Sequence, residues 1–333
     1  MPDSVTHYWF GRQILAALDD TVRGCIHEGI YERALQGPDP WSTSGFYGGS
    51  GKRYAGRSSV MHKEKTGQYL LALTDAAKEQ ELMFSVLAGN LCHYCLDRRM
   101  HPYIICKGGA YDGTPATYHL RSGHVRLERA IDSYVIRRCY GKKPWRFSIP
   151  KEILKLKQYP ENLRVPLDKV LLRVYGWENG FSAWNRSLRD EAAFYGLMQD
   201  PVGIVRFLLR PVSRGRTDYS AYSYYRRDIR GVDYMNDSRK PWRHPFDPAV
   251  ISTDSVADLM AQAQKDAVEM ICAAWQVVYE GQALPLEQYY GNSNYSTGFD
   301  CEDPRNRQTP ISEPLNYPGK YQCDRNERWR KHA

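Results

Sequence analysis

Leu91-Cys92-His93-Tyr94-Cys95-Leu96-Asp97-Arg98-Arg99-Met100-His101-Pro102 is the stretch on which the reading of the whole chain turns. A step of four residues along a helix advances about 400° and rises about 6 Å, so His93 and Asp97 stand one above the other on one face. That is a chelating pair. His101 repeats the step, but Pro102 pushes the residue before it out of the α region, so the helix is expected to end at His101. The imidazole of His101 would then reach a second centre beside the first. Upstream, ELMFSVLAGNLCHYCLDRRM, residues 81–100, is apolar on nearly every side until its last turn, the pattern of a helix buried among other helices.

Working outward, a second stripe appears in the helix expected over Ser122 to Arg138, where His124 and Glu128 lie four apart and Leu127, Ile131, Tyr134 and Val135 supply the packing face. A first amphipathic helix over 5–18 carries Val5, Tyr8, Trp9, Ile14, Leu15 and Leu18, with Thr6 as its cap and His7 in the first turn. A second is expected from Asp20 to Leu35, stopped by Gly37-Pro38, with Asp39 in the loop just past the stop. Trp41 to Ser59 is rich in Gly, Ser and Tyr and lacks periodicity, which reads as a mobile loop; His62 follows it, then a helix through Tyr69, Leu70, Leu73 and Ala77.

Further on, helical segments are expected near 167–175 and 181–209, and 252–281 is the longest amphipathic helix, with Val256, Leu259, Met260, Ala263, Ala267, Met270, Ile271 and Trp275 on one stripe. No stretch alternates long enough to build a sheet. The expectation is an all-α multi-helix bundle: one helical domain over 1–283 with an Arg/Tyr-rich insertion at 211–250, then an extended tail over 284–333. The insertion could stack bases and bind phosphates, or lie as a solvated loop with its tyrosines against the bundle.

At 333 residues and a net charge of +8 the chain can bury a sizeable core, and its charge favours an anionic partner: a phosphate ester, a nucleic acid or an acidic lipid surface. No apolar run approaches the roughly 20 residues of a membrane span, and the opening MPDSVTHYWFGR lacks the features of a signal peptide, so a cytoplasmic location is expected. Of eight cysteines, Cys92 and Cys95 lie in the central helix with no second CxxC at zinc-ribbon spacing, and read as reduced core thiols.

The candidate metal ligands are therefore His7, Asp39, His62, His93, Asp97, His101, His124 and Glu128. Imidazole and carboxylate are donors that zinc accepts, and the HxxxD and HxxxE pairs offer two of them on one helical face without backbone strain. Any one pair is as well read as a helix with satisfied histidines; their number within 130 residues is what favours a metal. Lys52, Arg53 and Arg57 in the 41–59 loop could cover such a site and grip phosphate oxygens, or simply be solvated.

The succession THYWFG, GPD, MH, HYCLDRRMHPY, HVRLE resembles the zinc-dependent phospholipase C family, whose fold is shared with the S1/P1 single-strand nucleases. The resemblance covers about the first 140 residues. It implies a helical bundle holding two to three zinc ions that cleaves a phosphodiester through a metal-activated hydroxide attacking phosphorus. By position it gives Asp39, His62, His93 and Asp97 to one zinc, His101, His124 and Glu128 to a second, and His7 with a shared Asp97 to a third. Asp39, a loop carboxylate, would orient or deprotonate the attacking water. Secreted members complete the third site with the terminal amine and carbonyl of a tryptophan; here Trp9 follows His7, so that metal is either weak or absent, or the native terminus donates, as a Pro2 amine freed by loss of Met1 would. The competing expectations are a single-strand nuclease and a non-catalytic binding module that zinc holds together.

Overall fold

The computed structural model describes residues 4–110, 114, 117–212, 219–225 and 231–315. Its helices are α1 Ser4–Ala17, α2 Asp20–Gly24, α3 Glu28–Ala34, α4 Gly56–Lys63, α5 Thr66–Glu79, α6 Leu82–Gly108, α7 Tyr118–Tyr140, α8 Ile149–Glu152, α9 Arg164–Tyr175, α10 Gly180–Met198, α11 Ile204–Val212, α12 Val256–Tyr279 and α13 Leu286–Tyr290. Among the described residues two small two-stranded sheets accompany them: β1 Gln199–Asp200 pairs in parallel with β2 Tyr224–Tyr225, and β3 Trp242–His244 pairs antiparallel with β4 Asp247–Ser252. The fold is all-α, as its apolar periodicities predict.

The all-round apolar sequence of α6 has the consequence expected of it. Residues 83–97 are buried without interruption, and α12, α3, α5, α7 and α1 pack around it. Each fully buried Leu, Val, Phe or Met in such a core contributes roughly 1.5–3 kcal/mol. Helix α12, which covers α6, starts at a capping box in which the Ser255 hydroxyl accepts from the Asp258 amide and the Asp258 carboxylate accepts from the Ser255 amide.

Several boundaries differ from the sequence expectation, each for a tertiary reason. Helix α6 does not stop at His101 but runs through Pro102 to Gly108. The carbonyl of Arg98, which loses its helical donor at the proline, faces Gly298, where a Cβ would come within 2.7 Å of it. The helix expected over 20–35 is broken into α2 and α3 because the His27 amide donates to Ser85 Oγ (2.8 Å) instead of continuing a ladder. The segment 181–209 divides at Pro201, where Asp200 accepts from the Arg206 amide and from Ser223 Oγ, both at 2.8 Å. The 41–59 segment contains two 3-10 turns, 39–43 and 50–54, and the start of α4, and Trp41 within it is fully buried.

The tail from 284, rich in Pro, Asn, Gly and Tyr, is expected either to wrap the bundle or to fray, and its described part wraps. Through residue 315 it packs on the bundle, with Tyr290 and Tyr295 buried and the Tyr94 hydroxyl donating to the Tyr290 carbonyl (2.7 Å). In the Arg/Tyr-rich insertion, Tyr224 is buried with its hydroxyl on Asp132 (3.0 Å), and Tyr222 packs edge-on to Phe194. Those tyrosines are packing elements. Arg214, Arg216, Arg226, Arg227 and Arg230 lie outside the described residues.

Candidate metal centre

Five segments converge on one cluster of side chains. Helix α6 supplies His93, Asp97 and His101 from one face, α7 supplies His124 and Glu128, the first turn of α1 supplies His7, and the 3-10 turn 39–43 and α4 supply Asp39 and His62. Apart from His124, which is half-buried, all are buried. The turn that delivers Asp39 can pass so close to α6 because of Gly37: its φ is +47°, and a Cβ there would sit 2.5 Å from the His93 ring.

The ligand atoms lie at distances that tetrahedral coordination predicts. Two donors each about 2.0–2.1 Å from one ion are separated by about 3.3 Å. His62 Nε2 stands 3.2 Å from Asp39 Oδ1 and 3.4 Å from Asp97 Oδ2, and His93 Nε2 stands 3.1 Å from Asp97 Oδ2 and 3.9 Å from Asp39 Oδ1. On the other side of the same carboxylate, His7 Nε2 is 3.2 Å from Asp97 Oδ1. With each Nε2 unprotonated, these contacts are not hydrogen bonds. His7 Nε2, Asp39 Oδ1, His62 Nε2, His93 Nε2 and both oxygens of Asp97 are all buried with no hydrogen-bond partner. Orphaned polar atoms inside a protein cost roughly 1–3 kcal/mol each, a cost that a cation held among these six atoms could remove.

A second group forms alongside, with ligand atoms of His101, His124 and Glu128 all within 4.8 Å of one another and His124 Nε2 2.8 Å from Glu128 Oε1. His7, His93 and Asp97 form a third such set, with the His7 and His93 rings stacked at 4.0 Å. Several buried His, Asp and Glu groups could thus hold metal ions, and the eight candidate ligands of the sequence all fall within these groups. The terminal amine suggested as a further donor lies outside the described residues.

The imidazoles are oriented by main-chain carbonyls. His93 Nδ1 lies 3.1 Å from the Leu35 carbonyl, His62 Nδ1 2.6 Å from Ser58 and His101 Nδ1 2.8 Å from Tyr295. Each carbonyl can only accept, so Nδ1 carries the proton and Nε2 presents its lone pair inward, the tautomer a metal ligand needs. Electrostatics within the pocket are strongly mixed. Burial opposes the charge on Asp97, but His101, His93, His62 and His7 outweigh it and hold its carboxyl well below the usual range. Burial likewise works against protonated His62, yet Asp39 and Asp97 raise it to about 9. Burial lowers His7, with His93 adding to it, and lowers His101 well below the ordinary imidazole value. Glu128 is drawn down by His124 against the opposing effect of burial.

Lys52, Arg53 and Arg57 do not close over this pocket. Lys52 and Arg53 are exposed, and Arg57 packs on Trp41, Tyr54 and Trp177. Arg57 and His62 are five residues apart on α4, which puts them about 140° apart around that helix.

Two contributors escape a reading by residue type. Tyr295 supplies the carbonyl for His101, donates its amide to the His62 carbonyl (2.8 Å), and lays its ring 5.1 Å from His62 and 5.8 Å from His93. Asp132 receives the Val5 amide (3.2 Å), the Thr6 amide (2.9 Å) and Thr6 Oγ1 (2.6 Å), so the first turn of α1 is capped from α7 and not by Thr6. Asp132 had a visible signal, since it continues the His124, Glu128 stripe by four more residues. Tyr295 had none. Among the described residues no helix is long and apolar enough to cross a membrane. Comparisons with protein-family models, curated proteins and solved structures found no match to this chain.

Proposed function

We propose that this chain is a zinc-dependent hydrolase of phosphoric diesters, of the phospholipase C type that its motifs resemble. The observation that carries the proposal is the set of six buried, unpartnered imidazole and carboxylate atoms around Asp97 at ligand spacing, beside the His101, His124, Glu128 group. Nitrogen and carboxylate donors at these separations suit zinc, with two to three ions as the expected number. Such ions lower the pKa of water toward 7 and neutralise the charge that builds on a phosphoryl group during displacement.

The residues divide the work as follows. Asp97, with an oxygen turned to each side, holds the His62, His93 side and the His7 side at a fixed separation. Asp39, the carboxylate that a short turn and not a long helix delivers, would orient a water in the cluster or take its proton. The carbonyls of Leu35, Ser58 and Tyr295 keep three imidazoles in register, so that little reorganisation accompanies the reaction. The Tyr295 ring packs against the His62 and His93 rings and helps to fix them.

A lipid head group suits this reading better than a nucleic acid strand, because Tyr222 and Tyr224 of the Arg/Tyr-rich insertion are packed against the bundle. The experiment is turnover of bis(p-nitrophenyl) phosphate, phosphatidylcholine vesicles and single-stranded DNA side by side, with and without chelator, alongside elemental analysis for metal. Chelator-sensitive cleavage of the chromogenic diester with zinc in the purified chain is the expected result. Zinc present with no ester cleaved assigns it a structural role, and no metal bound at all removes the proposal.

A further inference from the structure

We infer that the open cleft between α4 and the α9–α10 junction is a second oxyanion site, one that takes a phosphate group apart from the metal centre. The cleft, about 750 Å3, is lined by Arg53, Tyr54, Arg57, Trp177, Asn179 and Arg186 among others. Three guanidinium groups thus face one space, and the single acidic residue lining it, Glu178, is exposed.

Arg57 is held there without a carboxylate. Its guanidinium carbon lies 4.4 Å from the centre of the Trp177 ring, 4.7 Å from Tyr54 and 5.0 Å from Trp41, and its Nη1 is buried with no hydrogen-bond partner. Partial burial, with Arg53 nearby, lowers its pKa, the direction expected of a cation awaiting an anion. Arg186 is fixed by its own bond to Ser50 Oγ (2.8 Å). The carboxylate nearest it, Asp190 at 4.0 Å, already accepts from the Gly45 amide (2.8 Å) and the Tyr47 hydroxyl (2.5 Å). Three guanidinium groups thus face two carboxylates, Glu178 and Asp190, and the cleft keeps a net positive charge.

The rings decide what kind of ligand fits. Trp177 has Arg57 against it and Tyr175 stacked at 4.6 Å, and Tyr54 has both Arg53 and Arg57 at 4.7 Å. The rings serve to hold guanidinium groups rigid and leave no face for stacking a base. Preorganised arginines with open N–H donors recognise the paired oxygens of phosphate, and the ligand class is accordingly a phosphate mono- or diester group.

The cleft and the metal cluster lie on different faces of α4. Arg57 is five residues from His62 on α4, about 7.5 Å along the helix and about 140° around it, and Trp41 is two residues past Asp39. The inference does not depend on the hydrolase reading.

The test is calorimetric titration of the full chain, at constant ionic strength, with inorganic phosphate and separately with phosphorylcholine as a soluble lipid head group. One saturable site with a dissociation constant below about 1 mM is expected, weakened at least tenfold in Arg57→Gln and in Arg186→Gln while metal atoms per chain stay constant. Should Arg57→Gln unfold, Arg186→Gln and the exposed Arg53→Gln carry the test. Preference for phosphorylcholine over phosphate identifies a head group as the source, and equal affinity identifies phosphate itself. Phosphate binding that is unchanged in the arginine variants, or that disappears in Asp97→Asn, overturns the inference, as does absence of binding.

Discussion

Asp97 and Asp132 are both carboxylates with no solvent exposure, one in the middle of α6 and one in the middle of α7. Asp132 accepts from two backbone amides, a threonine hydroxyl and a tyrosine hydroxyl. Asp97 accepts from none of its neighbours, although four imidazoles stand within 3.7 Å of it. A buried charge whose lone pairs are filled by protein donors holds elements together; one whose lone pairs are left open at ligand spacing waits for an ion. The difference lies in the donors, since burial and residue type are the same.

Substitution at the two positions should separate along that line. Asp97→Asn is expected to remove metal and to lower phosphodiester hydrolysis about a thousandfold, roughly 4 kcal/mol of transition-state stabilisation, checked by turnover with elemental analysis. Asp39→Asn should cost about a hundredfold in kcat while the His101, His124, Glu128 group keeps its metal; a variant with full activity would remove the role given to Asp39. Asp132→Ala reverses the pattern, with about 3 kcal/mol of stability lost through several charge-assisted bonds but metal per folded chain unchanged, as urea unfolding and metal analysis would read. If Asp132→Ala lost metal without losing stability, the distinction drawn between the two carboxylates would fail.

The smallest effect concerns pH. In metal-free protein, His62 is raised from 6.5 to about 9, so its proton is bound more tightly in the folded chain than in the unfolded one. The stability this contributes is full below pH 6.5 and is lost as pH rises through 9. His7 and His101, shifted downward, are neutral in both states over most of that range and do not oppose it. Metal-free protein should therefore weaken between pH 6.5 and 8, and metal-loaded protein, in which His62 carries no extra proton, should not. Parallel melting curves across that range decide it.

Much of the fold and most of the ligand set were legible because both are written in helical periods. The i, i+4 steps of His93, Asp97 and His101, and of His124 and Glu128, need only local geometry to become shared faces. The all-round apolar run of α6 announces burial without reference to any partner. What could not be read depends on contacts distant in the chain. Pro102 stays inside α6 because Gly298 leaves room for a displaced carbonyl; α2 and α3 separate because Ser85 claims an amide; Thr6 gives up its capping role to Asp132. Residue type left two readings open at Lys52, Arg53 and Arg57, cover for the cluster or a solvated face, and the exposure of Lys52 and Arg53 favours the second. The aromatic environment of Arg57 and its place around α4 turn it to the far side of that helix.

The part played by Tyr295 bears on how the centre is made in a growing chain. Its carbonyl, which steadies His101, lies 194 residues downstream of that histidine. At translation rates of 5–20 residues per second, this segment emerges on the order of ten to forty seconds after α6. Throughout that interval the Nδ1 proton of His101 lacks its acceptor, so this imidazole can settle into its final orientation only after most of the chain has been made.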